Sequence, residues 1–245
     1  MNGANKEIIA QYFATTSSRS VHVSKDHYES ALPGIRRRLG PWCPKPGSRV
    51  LDLGCGLGEF LHLCQEIGCK ELVGVNLCEE EIKAAQSFVN AEFHCTHILD
   101  YLRSNQQVFD SVYAMNILEH LEKDEVLEVL NLVSKRLSPG GALVAMVPNA
   151  ISPFGSLTRH WDYTHEWAFT PNNFRQLASI SGFDPHIDFR ECGPVPYALI
   201  SSVRWLLWQV IRLGIKAYFL IEVADTKGGV YTMDMLVRMH KASST

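Results

Sequence analysis

Paired cysteines are missing from this chain. Its seven cysteines, Cys43, Cys55, Cys64, Cys69, Cys78, Cys95 and Cys192, are odd in number and stand singly. Without a C-x-x-C pair there is no zinc-ribbon or disulfide framework; reduced thiols are the simplest reading and no metal is expected. An excess of one charge is missing too. Lys+Arg (23) and Asp+Glu (26) leave a formal charge of −3, unlike the basic balance of a nucleic-acid binder. The opening MNGANKEIIAQYF has neither the basic start nor the apolar core of a signal peptide. The expected compartment is therefore the cytoplasm, or the inner face of a membrane. An uninterrupted apolar span is also absent, because Arg204, Gln209, Arg212 and Lys216 break the richest stretch, residues 198–224.

What is present is 245 residues with 46% hydrophobic and 20% charged side chains, enough for one domain with an elaboration. Helices are expected around Lys6–Ala14 and Asp26–Leu39, making residues 1–46 an N-terminal helical cap. From Arg49 short β-branched runs alternate with amphipathic segments. Strands are expected at RVLDLG, ELVGVN, AEFHCT, FDSVYAMN and ALVAMVPN, with helices at Gly58–Ile67, Glu79–Val89 and Lys123–Leu137, the last ended by SPGG. Thr170-Pro171 reads as an N-cap and first-turn proline of a helix reaching about Ser181. FDPHIDFREC and GVYTMDMLVRMHK are the sixth and seventh strands. Alternation of this kind indicates a parallel α/β sheet covered on both faces. Residues 47–245 form this domain, with a helical insertion at about 194–224. In that insertion Arg204, Trp208, Arg212 and Lys216 recur at helical spacing, a basic stripe on an apolar helix. The pattern suits a membrane-surface helix. It equally suits packing against the domain or a dimer mate, which is the plainer expectation.

The stretch VLDLGCGLGEF (Val50–Phe60) puts Gly54, Gly56 and Gly58 between the first strand and its helix. Glycines there let a ligand approach the backbone closely. The spacing is G-x-G-x-G, not the G-x-G-x-x-G of a dinucleotide site, and no Walker lysine follows.

Asp52-x-Gly54-Cys55-Gly56-x-Gly58 resembles motif I of class I S-adenosylmethionine-dependent methyltransferases. GVNLCEEEI, NILEHL and LSPGGALVAMVPN follow in the order of that family's later segments. The resemblance implies a Rossmann-like, mostly parallel seven-stranded sheet with helices on both faces and an antiparallel last strand. It implies S-adenosyl-L-methionine as cofactor, with Gly54, Gly56 and Gly58 at its methionine end and Asp52 orienting the loop. Asn76 and Leu77 would meet the ribose and His97 and Ile98 the adenine, and Asn116, after the fourth strand, would also bind the cofactor. Two positions depart from the pattern. Asn76 stands where an acid usually accepts the ribose hydroxyls, and His97 where an aspartate usually accepts the adenine amine.

Methyl transfer to a hydroxyl needs the acceptor aligned and its proton removed, most often by histidine. His120 lies in LEHL, and His160 and His165 in TRHWDYTHEWAFTP, a loop dense in Arg, Asp, Glu and aromatics. The expected roles are His165 as general base, Asp162 orienting it, Arg159 and Tyr163 holding the acceptor, and His120 and Asn149 at the same mouth. Tyr12 and Phe13 would be lid aromatics. R-x-x-D-x-T-H, the F-T-P helix start and SGF also resemble a bacterial subgroup found with polysaccharide and lipopolysaccharide biosynthesis. The expectation is an enzyme that O-methylates a hydroxyl of a saccharide or glycosylated small molecule. The partners expected are a small-molecule or glycan acceptor, no nucleic acid, and a membrane surface or second copy at 198–224. Two alternatives stay open: a methyltransferase for a quinone-like, lipidic phenol, and a non-catalytic S-adenosylmethionine-binding protein.

Overall fold

The computed structural model of the protein describes residues 3–12 and 23–242; Phe13 lies outside them. The strands are β1 (Arg49–Leu53), β2 (Glu71–Asn76), β3 (Glu92–Cys95), β4 (Phe109–Met115), β5 (Leu137–Pro148), β6 (Phe183–Glu191) and β7 (Asp234–Lys241). They form one seven-stranded sheet in the order β3-β2-β1-β4-β5-β7-β6. β1 to β5 pair in parallel, and β7 enters antiparallel to both β5 and β6. This is the Rossmann-like sheet the resemblance implied.

β1 and β2 are buried almost throughout, as continuous apolar strands covered on both faces should be. Alternate residues feed two cores. Leu51, Leu53, Val73 and Val75 join the larger one, while Val50, Leu72 and Tyr113 join the other on the opposite face.

Helix α1 is Gly3–Ala10, starting before the expected Lys6, while the expected end at Ala14 lies outside the described residues; α2 is Lys25–Leu39. Ser24 caps α2 by accepting from the His27 amide at 3.3 Å. Tyr28, fully buried, donates to the Leu57 carbonyl at 2.7 Å and so ties α2 to the glycine loop. After the sheet begins come α3 (Glu59–Ile67), α4 (Glu79–Gln86), α5 (Ile98–Ser104) and α6 (Lys123–Arg136). Then follow α7 (Gly155–Arg159), α8 (Pro171–Ala178) and α9 (Leu199–Val223). Thr170 caps α8 with Pro171 in the first turn, as expected.

Two elements correct the sequence reading. SPGG does not separate α6 from β5. Leu137 already pairs with Phe109, and the segment passes as an irregularity before Ala142 pairs with Ser111. And α9 rests on its own domain by one face only, through Trp208 to Glu191, Arg212 to Glu191 and the Gly229 carbonyl, and Phe219 on Tyr231. Ser201 is its one buried residue, while Leu199, Ile200 and Ile221 are 82%, 77% and 86% exposed. No helix among the described residues is long and apolar enough to cross a membrane.

Candidate functional site

The glycine loop leaves β1 with Gly54, Gly56 and Gly58 all at positive φ (76°, 51° and 81°), a region L side chains avoid. A Cβ at Gly54 would meet the Ile117 side chain at 3.0 Å and one at Gly58 the Ala85 Cβ at 3.1 Å. Gly56 differs. Nothing lies within 4 Å of where its Cβ would stand, so its backbone faces open space. That space is a cavity of about 430 Å³ lined by Arg38, Asp52, Gly54, Gly56, Glu59, Met115 and Asn116, among others. Asp52 is buried beneath the loop; burial, and then the Glu59 charge, push its carboxyl up to about 8.

Gly54 also lines a second, narrow crevice, with Asn76, Leu77, Thr96, His97, Ile98 and Ile117. Ile9 of α1 closes this crevice to about 20 Å³, so the N-terminal helix sits over it as a cover. Asn76 donates Nδ2 to the buried Glu81 carboxylate at 2.8 Å, which leaves Oδ1 as its acceptor. A carboxylate thus stands behind Asn76 after all, one helical turn into α4. His97 Nε2 is buried with no hydrogen-bond partner, and burial lowers its pKa.

These features fit S-adenosylmethionine. Gly54 joins two clefts into one trough, Gly56 presents bare backbone to it, and the orphaned His97 nitrogen asks for a polar partner. Gly54, Gly56, Gly58, Asp52 and Asn116 would serve the methionine end, and Asn76, Leu77, His97 and Ile98 the adenosine.

A short turn after β4 carries Glu119 and His120, both buried, and the loop between α7 and α8 brings His165 against them. The two imidazole centroids lie 4.7 Å apart. Their tautomers follow from their partners. The Thr164 hydroxyl donates its one hydrogen to Asp162 Oδ1 at 2.7 Å, so its oxygen accepts from His120 Nδ1–H at 2.7 Å. The Thr158 carbonyl can only accept, so His165 Nδ1 carries the proton on its 2.8 Å contact. In the neutral form of each ring, these partners put the hydrogen on Nδ1 and the lone pair on Nε2. Burial, then the neighbouring His165, lower His120 to about 4 and keep it neutral. Glu119 is 1% exposed; burial pushes its carboxyl up to about 8, with Asp234 and Asp162 adding in the same sense.

The expected site residues come together only in part. Asp162 does not touch the His165 ring. Its oxygens take Thr164 and Tyr12, whose hydroxyl donates at 2.5 Å, and it reaches His120 through Thr164. Burial alone would raise its pKa, but those hydrogen bonds bring it below the ordinary value. Asn149, fully buried, spends Nδ2 on Val230 and Thr232 and Oδ1 on Ile151, so it staples β5 to the following loops and does not line the mouth. Tyr163 and Trp161 are 83% and 80% exposed and His160 faces solvent, while Arg159 lies partly exposed at the end of α7. The tyrosine that does reach the site is Tyr12. Thr164, Thr158 and Glu119 were not foreseen, although D-x-T is the spacing of an Asp side chain turning back on its own backbone.

A cavity of about 510 Å³ opens beneath α9. Trp208, Ile211 and Ile215 of α9, Tyr197, Tyr231 and Asp234 are among its walls. Arg38 lines both this cavity and the one under the glycine loop, so the two adjoin. Asp234 feels both Arg38 and His165, which oppose the upward push of burial on its pKa.

Known proteins agree with this geometry. The ubiquinone biosynthesis O-methyltransferase of Xanthomonas campestris pv. campestris is 30% identical over 103 residues, which cover 40% of this chain. The match spans about two fifths (42%) of that relative's length. The ubiquinone biosynthesis O-methyltransferase of Ruegeria sp. is 28% identical over 177 residues, 65% of this chain and 70% of that protein. Among solved structures, a SAM-dependent methyltransferase from Archaeoglobus fulgidus superimposes with a TM-score of 0.64 at 23% identity, covering 87% and 94% of the two chains. The N-methyltransferase NodS from Bradyrhizobium japonicum, solved with S-adenosyl-L-homocysteine, gives 0.59 at 17% identity over 98% and 99%. At such identities the likeness speaks for the fold alone. The family described as "methyltransferase domain" matches residues 25–186, about two thirds of the chain. The protein belongs to the S-adenosylmethionine-dependent methyltransferases, with S-adenosylmethionine as its cofactor.

Proposed function

We propose that this methyltransferase O-methylates a hydroxyl on a membrane-borne amphiphile, a quinone-like lipidic phenol. One observation carries the reading: the cavity that adjoins the cofactor trough at Arg38 is roofed by α9, a helix whose outer faces are apolar and exposed. Such a helix, with the exposed Arg204 and Lys216 along it, suits the interface of an anionic membrane. An acceptor lying in that membrane could enter beneath it, its apolar body against Trp208, Ile211 and Ile215 and its polar head toward Asp234, whose carboxyl feels His165. The relatives named for ubiquinone biosynthesis support an acceptor of this kind.

S-adenosylmethionine supplies a methyl group on a sulfonium centre, already activated. The chain's own work is to hold an oxygen in line and to ionise it. Gly56 leaves room for the methionine end, and Arg38 stands between the two cavities. The hydroxyl loses its proton beside His120 and His165, whose Nε2 atoms carry lone pairs. Ile9 and Tyr12 cover the site from the N-terminal segment, which excludes water.

A second reading is a saccharide on a lipid carrier. It is favoured by the solvent-facing Trp161 and Tyr163 beside the site, aromatic faces of the sort that stack on sugar rings. Incubating the protein with S-adenosylmethionine and either a short-chain prenylated dihydroxyphenol or an alkyl glycoside separates the two. O-methylation of the phenol is expected. Methylation of the glycoside alone would select the second reading, and a product methylated on nitrogen would overturn both.

A further inference from the structure

Glu119 Oε2 is buried and has no hydrogen-bond partner. A carboxylate 1% exposed with an orphaned oxygen is costly to bury unless a positive charge meets it. No lysine or arginine does so among the described residues. What stands beside it instead is the imidazole pair. Glu119, His120 and His165 each offer a donor atom, and the three atoms lie within 4.8 Å of one another.

We propose that Glu119, His120 and His165 bind a divalent first-row transition-metal ion. Two imidazoles and one carboxylate form a facial donor set that leaves coordination positions open. The second shell has the form such a site requires. Each histidine donates Nδ1–H to a fixed acceptor, His120 to Thr164 and His165 to the Thr158 carbonyl, so each is locked in the tautomer whose Nε2 can ligate. Thr164 is in turn held by Asp162 and Asp162 by Tyr12. Ligand atoms around such an ion lie roughly 3–3.5 Å apart for bonds of about 2.1 Å. Modest closure of the side chains from the present spacing therefore suffices. Two nitrogen donors favour zinc, manganese or iron over magnesium, which prefers all-oxygen, hydrated sites.

This proposal rests on the O-methylation reading and deepens it. An ion here would favour the ionised form of a hydroxyl entering from the α9 cavity, as metal-bound water is acidified elsewhere. The two Nε2 lone pairs then serve the ion, and the hydroxyl proton goes to solvent, not to His165. Phenols with a second oxygen in the ortho position, able to chelate, become the preferred acceptors.

The test uses the full chain, stripped with chelator and titrated with Co²⁺ and Zn²⁺. Calorimetry follows binding, and the visible spectrum of the cobalt form reports nitrogen and oxygen ligation. One ion per chain is expected. Glu119→Gln and His165→Asn should each weaken binding more than tenfold, and Thr164→Val, one shell out, by about 10–100-fold. Thermal melts of the stripped proteins identify any variant that is merely unfolded; His165, only partly buried, keeps the test decisive if Glu119→Gln is unstable. No stoichiometric binding by the wild type, or unchanged affinity in folded His165→Asn, overturns the proposal. Phenol methylation that persists in the stripped protein would overturn it while sparing the function. Stoichiometric metal binding without methylation of any hydroxyl would do the reverse.

Discussion

Replacing Gly56 by alanine separates what the glycine loop does for folding from what it does for the cofactor. Gly56 and Gly68 both sit at positive φ, +51° and +86°, and neither has an atom within 4 Å of its would-be Cβ. Forcing alanine into this region costs about 1–2 kcal/mol, offset by about 0.4–1 kcal/mol from the stiffer unfolded chain. Each variant should therefore lose about 1 kcal/mol, roughly 2–4 °C of melting temperature for a chain of this size. Their binding should differ. Gly68 caps α3 away from both clefts, whereas the new methyl at Gly56 projects into the 430 Å³ cavity where the cofactor must meet bare backbone. Calorimetry with S-adenosylhomocysteine should show Gly68→Ala unchanged and Gly56→Ala weakened at least tenfold, about 1.4 kcal/mol. Gly58→Ala is the third arm. Its Cβ would stand 3.1 Å from Ala85 Cβ, so overpacking adds about 1–3 kcal/mol and the melting point should fall about two to four times as far. Gly56→Ala binding the ligand as well as Gly68→Ala does would refute the assignment of that open space to the cofactor.

Thr164→Val keeps shape but leaves His120 Nδ1 without its acceptor and removes one donor from Asp162, which keeps Tyr12 and the residue-164 amide. Thr164 is fully buried, so a loss of about 1–3 kcal/mol is expected in chemical denaturation; a loss below 0.5 kcal/mol would mean the relay is not a supporting contact. The stripped protein should melt at lower temperature as pH rises from about 6.5 to 8. Asp52 and Glu119, near 8 when folded against 3.8 and 4.5 ordinarily, hold extra protons in the folded chain, so their stabilisation is full at low pH and is lost as pH climbs through 8. His120, lowered to about 4 from 6.5, has the opposite sign but acts only below that window. Differential scanning fluorimetry of Asp52→Asn should show the slope reduced, and an unchanged slope would discount the buried carboxyl. Reversing the charge of Arg204 and Lys216, while keeping Arg212 on Glu191, should weaken co-flotation with anionic liposomes, and equal flotation would assign α9 to protein packing.

How far the site could be foreseen differs along the chain for physical reasons. The glycine loop is legible because its chemistry is local. Positive φ at Gly54, Gly56 and Gly58 and the strand before them are properties of consecutive residues. The start of β5 is less so. Leu137 looks like a helix end and SPGG like a turn, but pairing with Phe109 on β4, a long-range contact, draws the segment into the sheet. The acceptor side resists local reading most. His165 was foreseen from the crowding of its loop, and His120 from its segment. That they meet depends on how the loop after β5 returns across the turn after β4, where the Glu166 amide donates to the Glu119 carbonyl at 2.8 Å. Asn149 shows the converse, since a polar residue at a strand end looks like a ligand until its partners are counted and none is left over. Glu119 is the sharper lesson. In sequence it is one acid among 26. Its burial to 1%, its orphaned oxygen and the two imidazoles beside it are what set it apart. An acid that folding places where no protein group answers its charge is stable there only if protonated or if a cation answers it, and that choice is what chelation and pH together resolve.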